Sequence, residues 1–586
     1  MGGVRPKEVY FMKRLLKYLR PHLSDSILGP LFKLCEATLE LIVPLIIAAI
    51  VDRGIAEGDK GYIVRMALLL ALMGLVGLLF SVTAQYFCAR ASVGFVGKVR
   101  SALFSKLQSL SYTDIDRIGT STMITRMSAD STKVQNGLNL ALRLLLRSPF
   151  VVFGAAIMAF TIDFKSALSF VAVIPLLSLV VFGIMLITMP MYKRVQGRTD
   201  ALLSTTRENL DGVRVIRAFG KEDAEIEEFK EENQLLNTVS KRVGRISALM
   251  NPLTFILINA AILVLIYTGA IEVNLGNLSQ GQVLALYNYM SQILIELIKL
   301  ANLIISISKA LASATRIADV LDIESTEMNG AVTECPESEY AVELDSVTVR
   351  YSGAPEAALS GITFNAKWGE TVGIIGGTGS GKSTLVNLIP GFYPAEGGIV
   401  RVGGVDVTEY DPRALREMIG ICPQKAVLFT GSIRDNLKWR KADATDGEIM
   451  AAVEIAQATD VVNVKGGLDA VIEEGGRNLS GGQRQRLTIA RALVGEPRIL
   501  ILDDSASALD FATDAALRRA ISGIKGKMTV FIVSQRASSV MNADKIIVLD
   551  DGAAVGIGTH GELMENCEIY REIYYTQFKK GGSENE

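Results

Sequence analysis

The residues Gly376-Gly377-Thr378-Gly379-Ser380-Gly381-Lys382-Ser383-Thr384 decide how this chain is read. An apolar, strand-like stretch from Glu370 to Gly376 leads into them, and a helix-like run from Leu385 to Ile389 follows. Strand, glycine loop and helix are the context that the phosphate-loop pattern G-x-x-x-x-G-K-[ST] requires. The glycines let backbone N–H groups close around phosphate oxygens, and the helix N-terminus adds positive potential. Lys382 is then expected to reach the β- and γ-phosphates, and the Ser383 hydroxyl to hold Mg²⁺. The loop implies a nucleoside triphosphate, with Gly376, Gly377, Thr378, Gly379, Ser380, Gly381, Lys382, Ser383 and Thr384 as its contacts.

Further chemistry surrounds the loop. Residues 342–351 alternate like a strand and end on Tyr351, an aromatic that either stacks on a base or packs on the surface. The apolar segment through Ile421 ends at Gln424. Leu479-Ser480-Gly481-Gly482-Gln483 follows the turn Gly475-Gly476 and opens a basic helix, so a serine hydroxyl and glycine amides meet at a helix N-terminus, a second phosphate-binding device. The apolar stretch from Arg498 ends in Asp503, a carboxylate placed to hold Mg²⁺ through water.

The chain has 586 residues, too many for one domain, and its composition changes near residue 320. Mean hydropathy is positive, which suggests a membrane protein. A net charge of −2 lacks the basic excess of a nucleic-acid binder. Cys35, Cys88, Cys335, Cys422 and Cys567 are scattered without C-x-x-C spacing and read as reduced thiols. The N-terminal apolar positions are interrupted by Lys13, Arg14, Lys17 and Arg20, unlike a cleavable signal peptide.

Residues 8–20 alternate apolar and basic positions at helical spacing, which predicts an interfacial helix on an anionic bilayer. Six apolar stretches follow, near 23–52, 62–97, 139–162, 166–192, 247–273 and 281–317. Each is long enough to cross a hydrocarbon core of about 30 Å. Several are longer than a bilayer needs and predict helices that run on into the cytosol. The loops 98–138 and 193–246 carry six and eleven Lys/Arg, and the first twenty residues carry six. The opposite-side connections carry four, Arg53, Lys60, Arg65 and Lys165. This asymmetry predicts that the N-terminus, both long loops and the C-terminal half are cytosolic. Each long loop reads as helical with a short transverse segment, near Tyr112 and near Arg214, either a solvated helical hairpin or a lever that touches the nucleotide-binding half. Glu36, Glu40, Glu296 and Lys299 lie within spans, either as substrate contacts or as pairs; Lys33/Glu36 and Glu296/Lys299 have the i,i+3 spacing for pairing. Arg143 and Arg147 lie within or at the end of the third span, either as further substrate contacts or in a cytosolic extension of their helix.

The chain resembles a half-size ATP-binding cassette (ABC) transporter with the exporter-type membrane fold, from its first helix to its C-terminus. That resemblance implies an α-helical six-span transmembrane domain followed by an α/β P-loop nucleotide-binding domain. The boundaries it suggests are an N-terminal interfacial helix at 1–22 and a transmembrane domain at 23–320. A linker at 321–340, an ATP-binding cassette at 341–580 and a polar tail at 581–586 follow. It implies ATP and Mg²⁺ as ligands. Tyr351 would stack on adenine, 376–384 form the Walker A loop, and Gln424 the Q-loop glutamine that touches Mg²⁺ and the membrane-domain levers. Glu474 lies in the stretch that meets those levers; Leu479, Ser480, Gly481, Gly482 and Gln483 are the signature. Asp503 is the Walker B aspartate and a Mg²⁺ holder with Ser383 and Gln424, and Ser507 to Asp510 is the D-loop. Two such domains pair head to tail, each ATP lying between the Walker A of one and the signature of the other.

Two positions depart from the family pattern. Where a glutamate base is usual stands Asp504, and where a switch histidine is usual stands Gln535. The chain's histidines, His22 and His560, lie elsewhere. Asp504 is one methylene short, and a positioned base contributes roughly 10²–10⁴ in rate; Gln535 cannot carry positive charge. The signature is unaltered, and it serves a partner's ATP. The expectation is a degenerate site in a heterodimer, whose other half-transporter carries the glutamate and the histidine. A homodimer using Asp504 as a slow base, an importer with this membrane fold, and an ATP-gated regulator are the alternatives. A small amphiphilic cargo, drug- or lipid-like, and a multi-pass location in the plasma membrane complete the reading.

Overall fold

In the computed structural model, residues 15–325, 330–524 and 526–578 are described. Most of the expected interfacial helix and all of the polar tail lie outside these residues. The chain divides into two compact units, residues 1–108 with 121–323, and residues 109–120 with 324–586.

The first unit is helical. Among the described residues, six helices are long and apolar enough to cross a membrane: Lys17–Ile55, Lys60–Gln108, Thr120–Ile162, Phe164–Asp211, Glu222–Asn274 and Gln280–Leu321. In lipid a helix satisfies all its backbone polar groups internally, so apolar runs of this length fold this way. Polar caps end them: Asp163 accepts from Ser166 N at 2.6 Å, and Ser279 forms a capping box with Gln282 at the start of the sixth span. Asp52, at the end of the first span, accepts from Gly281 N at 2.8 Å. Small residues permit close approach. A Cβ on Gly137 would lie 2.1 Å from that of Ala310.

Charge inside this unit is paired. Arg147, only 6% exposed, donates to Glu296 at 2.7 Å and to Glu40 at 2.5 Å. Glu296, 2% exposed, also accepts from Ser148 at 2.8 Å and Lys299 at 2.9 Å. Lys33 pairs with Glu36 and donates to Ser81 at 3.1 Å. Arg147 is therefore no solvated extension of the third span: it ties the first, third and sixth together. Its partners lie 107 and 149 residues away along the chain, beyond any spacing rule.

The second unit holds two principal sheets. In the antiparallel one, β1 (Tyr340–Val349) lies between β2 (Leu359–Lys367) and β4 (Gly397–Val402), with β5 (Val405–Asp406) at the edge. The other, in order, is β12 (Ala553–Gly558), β11 (Lys545–Asp550), β3 (Thr371–Gly376), β10 (Thr529–Val533), β9 (Ile499–Asp503) and β6 (Ile419–Cys422). All neighbours there are parallel except β11 and β12. A short pair, β7 (Gly431–Ser432) and β8 (Val471–Ile472), lies apart. Every residue of β9 is buried, because a parallel sheet covered on both faces demands continuous apolar strands. One large core joins β1, β2, β3, β9 and β10 around Phe364, Ile374, Ile501 and Phe531. The helix α1 (Tyr112–Ile118), from the first long loop, belongs to this unit.

Candidate functional site

In an open parallel sheet, ligands bind beyond the carboxyl ends of the strands. Here β3 ends at Gly376 and β9 at Asp503, while β10 leads to Ser534 and β6 toward Gln424. Asp504 N donates to Val533 O at 3.0 Å and Ser534 N to Ile374 O at 3.0 Å, which pins three of these ends together. Segments more than a hundred residues apart thus meet at one sheet edge.

The phosphate loop connects β3 to α2 (Lys382–Leu388). Gly381 caps α2 at φ +92°, a left-handed conformation that glycine adopts without cost. A Cβ there would meet Leu359 Cδ2 at 2.6 Å and Ala358 O at 2.7 Å. Lys382, 8% exposed, donates to Gly376 O at 3.0 Å and also to Gly377 O and Ser380 Oγ. The ammonium thus spans the loop from within. Burial pulls the Lys382 amine below its ordinary value, with Asp504 and Asp503 opposing that shift. A buried cation, ringed by backbone groups and opening a helix, fits a triphosphate.

Ser383 Oγ donates to Asp503 Oδ1 at 2.9 Å. Burial pushes the Asp503 carboxyl upward, partly offset by Ser383, while Asp504 adds to the rise. Asp504 is likewise raised by burial, against the lowering effects of Lys382, Arg536 and a hydrogen bond from Gln424. Ser383, Asp503, Asp504 and Gln424 are therefore one constellation, and its oxygen donors suit Mg²⁺, a hard cation. Asp504 has φ +45°, a conformation rare for residues other than glycine but several-fold enriched for Asp and Asn. Gln535 is exposed; its backbone carbonyl accepts from Gln577 Nε2 at 2.8 Å.

The signature stands as a separate construction. Ser480 caps α3 (Gly481–Leu493) and forms a capping box with Gln483. Leu479 is buried beneath it, whereas Ser480 and Gly481 are exposed. A Cβ on Gly482 would meet Ala508 O at 3.1 Å, so the signature packs against the D-loop. There Asp510 caps α4 (Phe511–Ser522), accepting from Thr513 N at 2.9 Å. Glu474 is exposed in a short 3-10 turn, Glu474–Gly476.

Tyr351 reaches the phosphate-loop helix: its hydroxyl lies 3.0 Å from Thr384 Oγ1. Its ring meets Tyr393 edge-on at 5.1 Å. Sequence reasoning missed Tyr393, and it missed Arg536, whose guanidinium bears on Asp504. Neither sits in a motif; only the proximity of Arg536 to the switch position hinted at it.

Comparison with known proteins agrees with both units. Residues 26–297 match the profile described as the ABC transporter transmembrane region, and residues 359–507 the profile described as ABC transporter. An uncharacterized ABC transporter ATP-binding protein of Bacillus subtilis is 33% identical over 576 residues, 98% of this chain and 100% of that one. One of Mycobacterium tuberculosis is 34% identical over 572 residues, 96% of this chain and 97% of that one. The ATP-dependent lipid A-core flippase of Vibrio vulnificus is 27% identical across 97% of this chain and 98% of its own. The solved structure of a bacterial Atm1-family ABC exporter with ATP bound superposes with a TM-score of 0.78. It is 21% identical and covers 96% of this chain and 99% of that one; the likeness is one of fold.

Proposed function

This chain belongs to the ABC transporter family, and from that premise we propose that it is the ATP-binding and permease subunit of a heterodimeric exporter. Its own Walker site binds MgATP and hydrolyses it slowly, while Ser480 completes the faster site on a partner subunit. The observation that carries this reading is the asymmetry between two constructions. Asp504 is a short carboxylate in a left-handed turn, raised by burial, and the exposed switch position holds Gln535. The signature serine is exposed and its helix cap is complete. Twofold symmetry would impair both sites of a homodimer equally.

Lys382 and the loop amides would hold the β- and γ-phosphates, Tyr351 the adenine, and Ser383, Asp503 and Gln424 the Mg²⁺. The metal would supply charge neutralisation at the phosphates. Asp504 would orient the attacking water at a distance set by one methylene too few, and Gln535 would offer a neutral hydrogen bond to the γ-phosphate. Asp510 caps its helix at the domain surface and would face the partner. An amphiphilic, lipid-like cargo agrees with the full-length likeness to a lipid A-core flippase. The basic loops agree with a cytosolic nucleotide-binding unit under the plasma membrane.

The test is ATPase activity of the purified chain, alone and with a half-transporter that carries glutamate and histidine at these positions. In the pair, Ser480→Ala lowers turnover by ~10²-fold, the scale of losing one preorganised donor, and Asp504→Asn changes it less than about threefold. If Asp504→Asn abolishes turnover of the pair while Ser480→Ala spares it, the asymmetric reading falls. Robust hydrolysis by the chain alone, abolished by Asp504→Asn, establishes the homodimer instead.

A further inference from the structure

The segment from Ser109 to Thr120 lies in the nucleotide-binding unit, yet at both ends the chain continues directly into membrane-crossing helices. It is capped into a short helix: Ser111 accepts from Asp114 N at 3.2 Å, and Gly119 closes the other end at φ +79°. Two contacts fasten it to residues just beyond the phosphate-loop helix. Tyr112 stacks on Phe392 at 4.3 Å, and Asp116 Oδ2 accepts from the Tyr393 hydroxyl at 2.7 Å.

Tyr393 has a second partner. Its ring meets the Tyr351 ring edge-on, 5.1 Å away at 85°, a favoured aromatic geometry. The Tyr351 hydroxyl in turn lies 3.0 Å from Thr384 Oγ1, two residues after Lys382. An unbroken series of contacts therefore runs from the phosphate loop through Tyr351 and Tyr393 to Asp116. Burial and the neighbouring Asp116 carboxylate push the Tyr393 phenol well above its ordinary value, so the hydroxyl remains a donor near neutrality.

We propose that Tyr393 is a positioning residue that reports occupancy of the base site: a purine nucleotide stacked on Tyr351 sets the Tyr393 ring, and its hydroxyl anchors Asp116. The inference rests on the reading of Tyr351 as the base-stacking residue. Its chemical content is that the base, and not the triphosphate alone, orders the 109–120 segment. A triphosphate lacking the base fills the loop around Lys382 but leaves the face of the Tyr351 ring uncovered, so the ring of Tyr393 is not set.

The experiment is amide hydrogen exchange of peptides covering 109–120, on the full-length protein in the oligomer in which it purifies, with nucleotide affinities measured in parallel. Saturating MgATP slows exchange there by about fivefold, and saturating Mg-triphosphate by less than ~1.5-fold, on the scale of local opening equilibria. Tyr393→Phe, which keeps the ring and removes the donor, abolishes the MgATP effect; so does Asp116→Ala. Asp116→Asn retains an acceptor and restores protection, which a packing role alone does not explain. The double variant Tyr393→Phe/Asp116→Ala is no worse than either single one. The proposal is overturned if MgATP and Mg-triphosphate protect the segment alike, if MgATP leaves it unchanged, or if Tyr393→Phe protects as the wild type does. Tyr351→Ala separates the two readings. If it weakens MgATP but not Mg-triphosphate binding while the segment fails to respond, the relay alone is wrong. If it changes neither affinity, the base-stacking reading is wrong as well.

Discussion

In the membrane unit, Glu296 is buried and receives hydrogen bonds from Arg147, Ser148 and Lys299. In the nucleotide-binding unit, Asp503 and Asp504 stand side by side, with hydrogen bonds from Ser383 and Gln424. The nearby Lys382 gives its hydrogen bonds to the carbonyls of its own loop and to Ser380. Burying a charge is costly unless it is paired. The first cluster meets that cost internally and serves to join helices. The second leaves two carboxylates raised and a lysine lowered, a polarised arrangement that a metal and a polyanion would complete. The same residue types thus join helices in one unit and, in the other, stand as raised carboxylates beside a lowered lysine.

Breaking the paired cluster produces the largest effect. Glu296→Ala removes the fully buried partner of Arg147, leaving it only Glu40, and destabilises the membrane unit by ~3–5 kcal/mol, read as a lower melting temperature in detergent; Arg147→Leu/Glu296→Leu together cost less than Glu296→Ala alone. Lys382→Ala removes a charge-assisted contact to phosphate and weakens MgATP binding by about 10- to 100-fold, measured by titration, with little change in melting temperature. The smallest effect has the opposite sign. Asp504→Asn raises the melting temperature of the nucleotide-free protein at pH 7 by roughly a degree or two.

The pH dependence of that last effect follows from linkage. A carboxyl raised above its ordinary value of about 3.9 is disfavoured in the folded state once ionised. Between the ordinary value and the raised one, the folded state binds more protons than the unfolded state, so stability falls as pH rises through that window. The stabilisation by Asp504→Asn is therefore full at neutral pH and vanishes below about pH 4. Melting curves at several pH values check it; a gain that grows toward acid contradicts the buried-carboxylate account.

Legibility in the sequence followed the range of the physics. Each span is visible because lipid requires a continuous apolar helix about 20 residues long. The strand, loop and helix around Lys382 are visible because glycines, lysine and serine must be neighbours in the chain to surround a phosphate. The signature is visible because a serine hydroxyl and glycine amides must be neighbours in the chain to meet at one helix N-terminus. The pairs Lys33/Glu36 and Glu296/Lys299 were legible by helical spacing, and both form. The pairing of Arg147 was not legible, because its partners lie in other helices.

What the sequence by itself determined is local: six apolar spans, a nucleotide-binding α/β fold, and the identity of each chemical group that departs at Asp504 and Gln535. Only the tertiary structure decided which groups meet. Parallel strands β3, β6, β9 and β10 bring their carboxyl ends to one edge, so Lys382, Gln424, Asp503 and Asp504 become one constellation. Asp116 and Tyr393, 277 residues apart, become hydrogen-bond partners, and Arg147 closes on Glu40 and Glu296. A hydrogen bond or ion pair acts over a few ångströms in space and is indifferent to separation along the chain, so no local pattern announces it.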